Sequence, residues 1–209
     1  MISRQELFLR LSNTTISEDS SLETHSMNDL GAKPASVLIP LLNISGSDIL
    51  PDWHLLFTRR TDRVADHKGQ VSFPGGRADP HDPGPEGTAL REASEEIGLK
   101  PEDVQIVGKL EQILTITNYL VTPVVGLIPW PYPFILQTEE VSRVFSIPLD
   151  WLANPANHEI RHRDKNPDGS AVPLREVIYF KAYEGEILWG VSAEITIRFV
   201  RKLFEQYDQ

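Results

Sequence analysis

A chain of 209 residues, 40% of them hydrophobic, suits one domain with a single packed core. Thirty acidic against twenty basic residues give a formal net charge of −10, which argues against a nucleic-acid polyanion as the main partner. With no cysteine, neither disulfide nor thiolate chemistry is available, and no apolar run approaches the ~18 residues needed to span a bilayer.

Arg4, Glu6 and Arg10 interrupt any apolar core in the first twelve residues. These therefore do not read as a signal peptide, and a cytoplasmic location without membrane attachment is expected. Ser3-Arg4-Gln5-Glu6 fits a capping box and predicts a short amphipathic helix over 3–12 with Leu7, Phe8 and Leu11 on one face. Residues 13–34 are rich in Ser, Thr, Asn and Asp and read as a linker, so 1–34 is expected to be an arm and 35–209 the main domain. The arm's expected role is packing, either against the core or against the mate of a homodimer.

Ala35 to Ile44 and His54 to Thr58 read as buried strands, and Gln70 to Phe73 as a short extended piece ending in the turn Phe73-Pro74-Gly75-Gly76. Residues 77–85 hold three prolines and two aspartates and are expected to be loop, followed by a helix over Thr88 to Ile97 stopped by Gly98. Val104 to Leu114 and Tyr119 to Ile128 read as a strand pair, and Pro129 to Phe134 as loop. Pro148 to Leu152 starts a short helix. His158 to Arg163 and Val172 to Ala182 flank the hairpin signal Asn166-Pro167-Asp168-Gly169. Val191 to Tyr207, with Val191, Ile195, Phe199 and Leu203 on one face, is a C-terminal amphipathic helix. Mixed strands with two long helices make an α/β layered domain.

The chemically informative segment is Arg91-Glu92-Ala93-Ser94-Glu95-Glu96-Ile97-Gly98-Leu99. On a helix, Glu92 and Glu96 lie four residues apart with Glu95 between them in angle, so all three carboxylates are expected to converge. Like charges at that spacing cost about 0.2–0.5 kcal/mol per pair, and the last turns of a helix carry a dipole that disfavours acids. A divalent cation reverses both penalties, because hard metals take carboxylate oxygens as ligands.

From Gly76 to Leu99 the chain resembles the Nudix box, G-x5-E-x7-R-E-U-x-E-E-x-G-U with U apolar. Arg91, Glu92, Ala93, Glu95, Glu96, Gly98 and Leu99 match its second half. In the first half Asp82 stands at the acid position, and eight residues rather than seven lead to Arg91. Leu56-Phe57-Thr58-Arg59-Arg60 and His67-Lys68-Gly69-Gln70-Val71-Ser72-Phe73-Pro74-Gly75-Gly76 resemble the extra motif of the coenzyme A pyrophosphatase branch of that family. So do Val121 to Gly126, Glu140-Val141 before Phe145, and Trp189-Gly190, and the similarity spans about residues 36–204.

The resemblance implies an α/β/α sandwich, with a mixed β-sheet between the box helix and the C-terminal helix. It also implies Mg²⁺- or Mn²⁺-dependent hydrolysis of a pyrophosphate bond in a small nucleoside diphosphate derivative, coenzyme A or acyl-CoA leading. Glu92 and Glu96 are then the direct metal ligands, Glu95 completes the site directly or through water, and the Gly76 carbonyl joins it. Arg91 orients a helix glutamate. The general base is left among Glu95, Glu92 and Glu140, the last of which is also a candidate ligand. Candidate substrate contacts are Arg59, Arg60, His67, Gln70 and Phe73 from the extra motif, with Tyr119, Trp130 and Tyr132 as rings for an adenine. His67 and His81 read as loop groups rather than ligands. Two alternatives stay open: another diphosphate such as ADP-ribose, and a Nudix-fold nucleotide-binding module without turnover.

Overall fold

The computed structural model describes residues 4–12, 31–45, 53–62, 69–165 and 171–204. Along the chain run α1 (Arg4–Ser12), β1 (Lys33–Asn43), β2 (Trp53–Arg60), β3 (Val71–Ser72), β4 (Gly75–Arg77), α2 (Pro85–Ile97), β5 (Gln105–Lys109), β6 (Ile113–Leu114), β7 (Tyr119–Ile128), β8 (Val141–Pro148), α3 (Leu149–Ala153), β9 (His158–Lys165), β10 (Ala171–Phe180) and α4 (Gly190–Phe204). Single 3₁₀ turns lie at Pro101–Asp103 and Pro155–Asn157.

The apolar runs of β1 and β7 place them at the centre of the sheet, where they pair in parallel from Lys33↔Tyr119 to Leu42↔Ile128. Every other pairing is antiparallel: β2 and β4 with β1, β3 and β8 with β2, β5 and β6 with β7. The sheet is thus mixed, and β9 with β10 forms a separate two-stranded ribbon.

Alternation sorts the strand residues onto two faces. Leu38, Leu42, Leu56, Val124 and Ile128 pack with Ala89, Ala93 and Ile97 of α2. Ile39, Leu41, Phe57 and Val125 pack on the other face with Leu7 and Leu11 of α1, Leu149 and Leu152 of α3, and Ile195, Phe199 and Leu203 of α4. The architecture is the expected α/β/α sandwich. Helix α1 is part of the second layer: Leu7 and Leu11 are buried, and the Arg10 guanidinium donates to the Leu203 carbonyl in the last turn of α4.

Several sequence expectations are corrected. Helix α2 starts at Pro85 rather than Thr88, because proline suits the first helical position, where its missing N–H is not needed. Gly75–Arg77 is not free turn and loop but strand β4, paired with Val37, Ser36 and Ala35. Val104 to Leu114 is not one strand: the register slips between Ile106 and Gly108, and β5 and β6 are separate. Gly108 bends there under α1, where an added Cβ would stand 2.6 Å from the Leu11 carbonyl oxygen. Strand β8 carries little signal in the sequence, since Arg143 occupies a position on the Phe145 and Ile147 face and the register slips opposite Arg59 and Arg60. Strand β1 begins at Lys33, inside the stretch read as linker. Ser3, residues 13–30, the turn Asn166 to Gly169 and Tyr207 lie outside the described residues.

Candidate metal and diphosphate site

The site is built where three pieces of chain meet. Strand β4 can lie against β1 only because it is glycine: at Gly75 (φ 156°) a Cβ would sit 2.4 Å from the Ser36 carbonyl oxygen. Gly76 in turn faces Glu92, whose carboxylate atoms would be 2.6–2.7 Å from a Cβ there. Helix α2 supplies the acids and presses Ala89 and Ala93, both fully buried, onto the sheet. It ends at Gly98 in the left-handed region (φ 67°), with Ile135 so close that a side chain on Gly98 would meet its Cβ at 2.9 Å. The following loop is pinned to this helix end by Ile135 N–H donating to the Ile97 carbonyl (3.0 Å) and Gln137 N–H to the Glu96 carbonyl (2.9 Å). That loop carries Glu140 to the end of β2, where the Glu140 carbonyl accepts from Thr61 N–H at 2.8 Å.

Arg91 organises the helix side. Its Nε donates to Asp82 Oδ1 (2.9 Å) and its Nη2 to Asp82 Oδ2 (3.1 Å) and the Arg77 carbonyl (3.0 Å). Its Nη1 reaches Glu92 Oε1 (2.9 Å) and Glu95 Oε2 (3.1 Å). Asp82 also accepts from Thr88 Oγ1 (2.8 Å) and the Asp79 amide (2.8 Å). The Arg91 hydrogen bond, helped by the Asp79 and Thr88 donors, holds the Asp82 carboxyl well below the usual carboxylate range. The aspartate at the box's acid position is thus the anchor of Arg91. The motif located Asp82 but assigned it no partner; the bidentate fork to Arg91 is the part that sequence reasoning missed.

The three helix glutamates are not equivalent. Glu96 is buried, with its side chain 7% exposed; Glu92 is 17% exposed and Glu95 60%. Burial pushes Glu96 up to about 8, against the pull of Arg60 and the Gly75 amide, with Glu92 and Glu140 adding repulsion. Burial also raises Glu92, opposed by Arg91. The expected convergence of all three is not seen: Glu95 swings out to Arg91, and among the described residues no three acidic or histidine side chains close around one ion position. A cation nevertheless fits the donor set. Glu96 Oε2 is buried with no hydrogen-bond partner among the described residues, beside a second half-desolvated carboxylate and a glycine backbone. A buried acid oxygen left unpartnered costs about 1–3 kcal/mol or more, which oxygen-seeking divalent ions offset.

The other candidates separate. Arg60 joins the acids, with Nη1 4.0 Å from Glu96 Oε1 and Nη2 3.8 Å from Glu140 Oε2, and its amide donates to the Gln70 carbonyl at 2.9 Å. Arg59 points to the opposite side of β2, toward Glu186 (3.4 Å), Asp62 (3.7 Å) and Ser142 Oγ (3.3 Å). Phe73, expected among the substrate contacts, is buried in the core with its ring 4.6 Å from Phe57. Tyr119 faces the α1 and α4 layer, away from Glu92, because strand alternation sets odd positions of β7 on that side. Tyr132 is occupied structurally, donating to Asp103 Oδ2 (2.9 Å) and accepting from the Lys100 amide (3.0 Å). Trp130 lines a separate apolar cleft of about 350 Å³ with Phe134, Leu136 and Val144. His81 sits exposed in the Asp79 turn, and His67 lies outside the described residues.

Comparison with known proteins agrees with this geometry. The NUDIX domain family profile matches residues 32–168. The chain is 39% identical over 173 residues to an uncharacterized Nudix hydrolase, NudL, of Yersinia pestis (strain Pestoides F), covering 82% of this chain and 78% of that one. The same identity and coverage hold for NudL of Yersinia pseudotuberculosis serotype O:1b (strain IP 31758). Among solved structures, a MutT/nudix family protein from Enterococcus faecalis superposes with a TM-score of 0.51 at 17% identity, covering 99% of this chain and 74% of that one, a likeness of fold. A profile spanning most of the chain, laid over a helix whose acids face a glycine strand, makes this protein a member of the Nudix family.

Proposed function

We propose that the protein is a Mg²⁺- or Mn²⁺-dependent hydrolase of the pyrophosphate bond in nucleoside diphosphate derivatives. Coenzyme A or acyl-CoA is the leading substrate, giving 3′,5′-ADP and 4′-phosphopantetheine or its acyl form. The observation that carries the hydrolase reading is the unpartnered, buried Glu96 carboxylate oxygen, within electrostatic reach of Glu92, whose own carboxylate faces Gly76. Coenzyme A as substrate rests on the run from His67 to Gly76 and its companion Leu56 to Arg60.

In this reading Glu92, Glu96 and the Gly76 carbonyl are the groups that would hold a divalent cation, with Glu95 at the edge of the site. A divalent ion held there would supply charge neutralisation for the diphosphate and Lewis-acid polarisation of the phosphorus under attack. Arg91, anchored on Asp82, keeps Glu92 from rotating out of the site. Glu140, 50% exposed at the open end of the cluster, accepts the proton of the attacking water. Helix α2 and the pinned loop after it hold these carboxylates in fixed positions, so little reorganisation accompanies the reaction. We place the protein in the cytoplasm, acting on a small molecule; no helix among the described residues is long and apolar enough to cross a membrane.

The test is a hydrolysis panel of coenzyme A, acyl-CoA, ADP-ribose, dinucleotides and nucleoside triphosphates with each metal, both products identified by mass. Cleavage of coenzyme A at the diphosphate supports the full reading. Cleavage of ADP-ribose with coenzyme A untouched overturns the substrate, and binding without any product overturns the hydrolase.

A further inference from the structure

The two adjacent arginines at the end of β2 differ in how they are held. Arg59 is committed: it meets Glu186, Asp62 and Ser142, and Glu186 also bridges to Arg143, the residue paired with Arg59 across β8. Arg60 is not. Its guanidinium stands 3.8–4.0 Å from Glu140 and Glu96, beyond hydrogen-bond reach, and its Nε is buried with no hydrogen-bond partner among the described residues. A planar fork of donors with one buried orphan N–H, on a side chain 29% exposed, suits a phosphate better than it suits its present neighbours.

Charge balance gives the reason for its position. Glu92, Glu96 and Glu140 lie within electrostatic reach of one another, and without a cation their repulsion needs a counter-charge. Arg60 is the cationic side chain paired with both Glu96 and Glu140. A divalent ion held by Glu92 and Glu96 makes that service redundant and repels the guanidinium, while a diphosphate brought to the ion offers it the oxygens it lacks.

Resting on the metal-site reading above, we propose that Arg60 is an exchangeable counter-ion. It serves as counter-charge to Glu140 and faces Glu96 in the empty site, and is handed to a phosphate oxygen of the substrate once a divalent cation takes its place. Cation and diphosphate binding are thereby coupled through one side chain. Charge serves the first state and planar geometry the second, so substitutions separate them.

The test is calorimetric titration of the purified chain with Mn²⁺ alone, then with methylenediphosphonate at saturating Mn²⁺, for wild type, Arg60→Gln, Arg60→Lys and Arg59→Gln. Arg60→Gln is expected to bind Mn²⁺ alone at least about threefold more tightly, having lost a competing cation, and the diphosphonate about tenfold or more weakly. Arg60→Lys keeps the charge: its Mn²⁺ affinity stays near wild type while diphosphonate binding still weakens. Arg59→Gln leaves Mn²⁺ affinity unchanged. If Arg60→Gln does not fold, the lysine variant decides, since a purely structural arginine would not spare one ligand and lose the other. Mn²⁺ affinity unchanged or weaker in Arg60→Gln, or diphosphonate binding unaffected in either variant, overturns the proposal with the metal site intact. Failure of wild type to bind Mn²⁺ at all removes both.

Discussion

Glu96→Gln separates stability from function. In the metal-free protein, burial lifts the Glu96 carboxyl from its usual 4.5 to about 8, so the folded state holds this proton more tightly than the unfolded chain does. Below the unfolded value both states are protonated and the stabilisation is fully present. It is lost as pH rises from 4.5 to about 8, and above that the folded state carries the whole cost of a buried charge. At about 1.4 kcal/mol per pH unit the full effect is on the order of 5 kcal/mol. Glutamine removes the ionisation but gives Arg60 and the Gly75 amide a neutral partner, so we expect it to recover about 2–4 kcal/mol at alkaline pH. The assay is urea unfolding of chelator-treated wild type and variant between about pH 4.5 and about pH 9. The variant should match wild type at the acid end, gain steadily with pH, draw no stabilisation from Mn²⁺ and show no hydrolysis. A constant difference at all pH values would refute the reasoning, because the cost would then be packing rather than charge.

Other consequences follow from the same geometry. Asp82 has a depressed carboxyl, so its contribution is present above its ordinary value of 3.8 and is lost as pH falls through and below it; Asp82→Asn should flatten this acid limb in denaturant titrations and lower kcat about tenfold or more by freeing Arg91. Gly76→Ala pushes a methyl into the Glu92 carboxylate and should abolish Mn²⁺ binding while the far-UV spectrum is retained. Gly75→Ala instead strikes the Ser36 backbone and should cost about 2 kcal/mol or more, seen in the melting temperature. Leu7→Ala, which empties a buried position under α4, should cost about 2–5 kcal/mol in urea unfolding, with the metal affinity of the folded fraction unchanged.

Much of this was legible in the residues. Box helix and central strands announce themselves by their apolar patterns, and Gly98 marks the helix end by backbone chemistry that does not depend on tertiary context, whereas the start at Pro85 was masked by the prolines around it. Glutamate spacing placed the acids on one helix but could not rank them: burial separates Glu96 from Glu95, and burial depends on how closely β4 approaches. That approach rests on two glycines which in sequence read only as a turn. Strand β8 was illegible because Arg143 and a bulge opposite Arg59 and Arg60 interrupt its apolar alternation, Arg143 finding its partners in the 184–186 turn, more than forty residues downstream. Tyr119 shows one reason: a motif gives proximity along the chain, whereas strand alternation decides which face of the sheet a side chain reaches. Phe73, between β3 and β4, is turned into the core. Arg59 and Arg60 show the same rule resolving what the sequence left even.

The central claim is that Glu92 and Glu96, against Gly76, hold a divalent cation. Anomalous diffraction from crystals soaked in Mn²⁺ tests it most directly. The account predicts a manganese peak within about 2.0–2.4 Å of an oxygen of each glutamate, with Glu96 Oε2 among its ligands. Well-ordered glutamates with no peak between them at millimolar Mn²⁺ would contradict it.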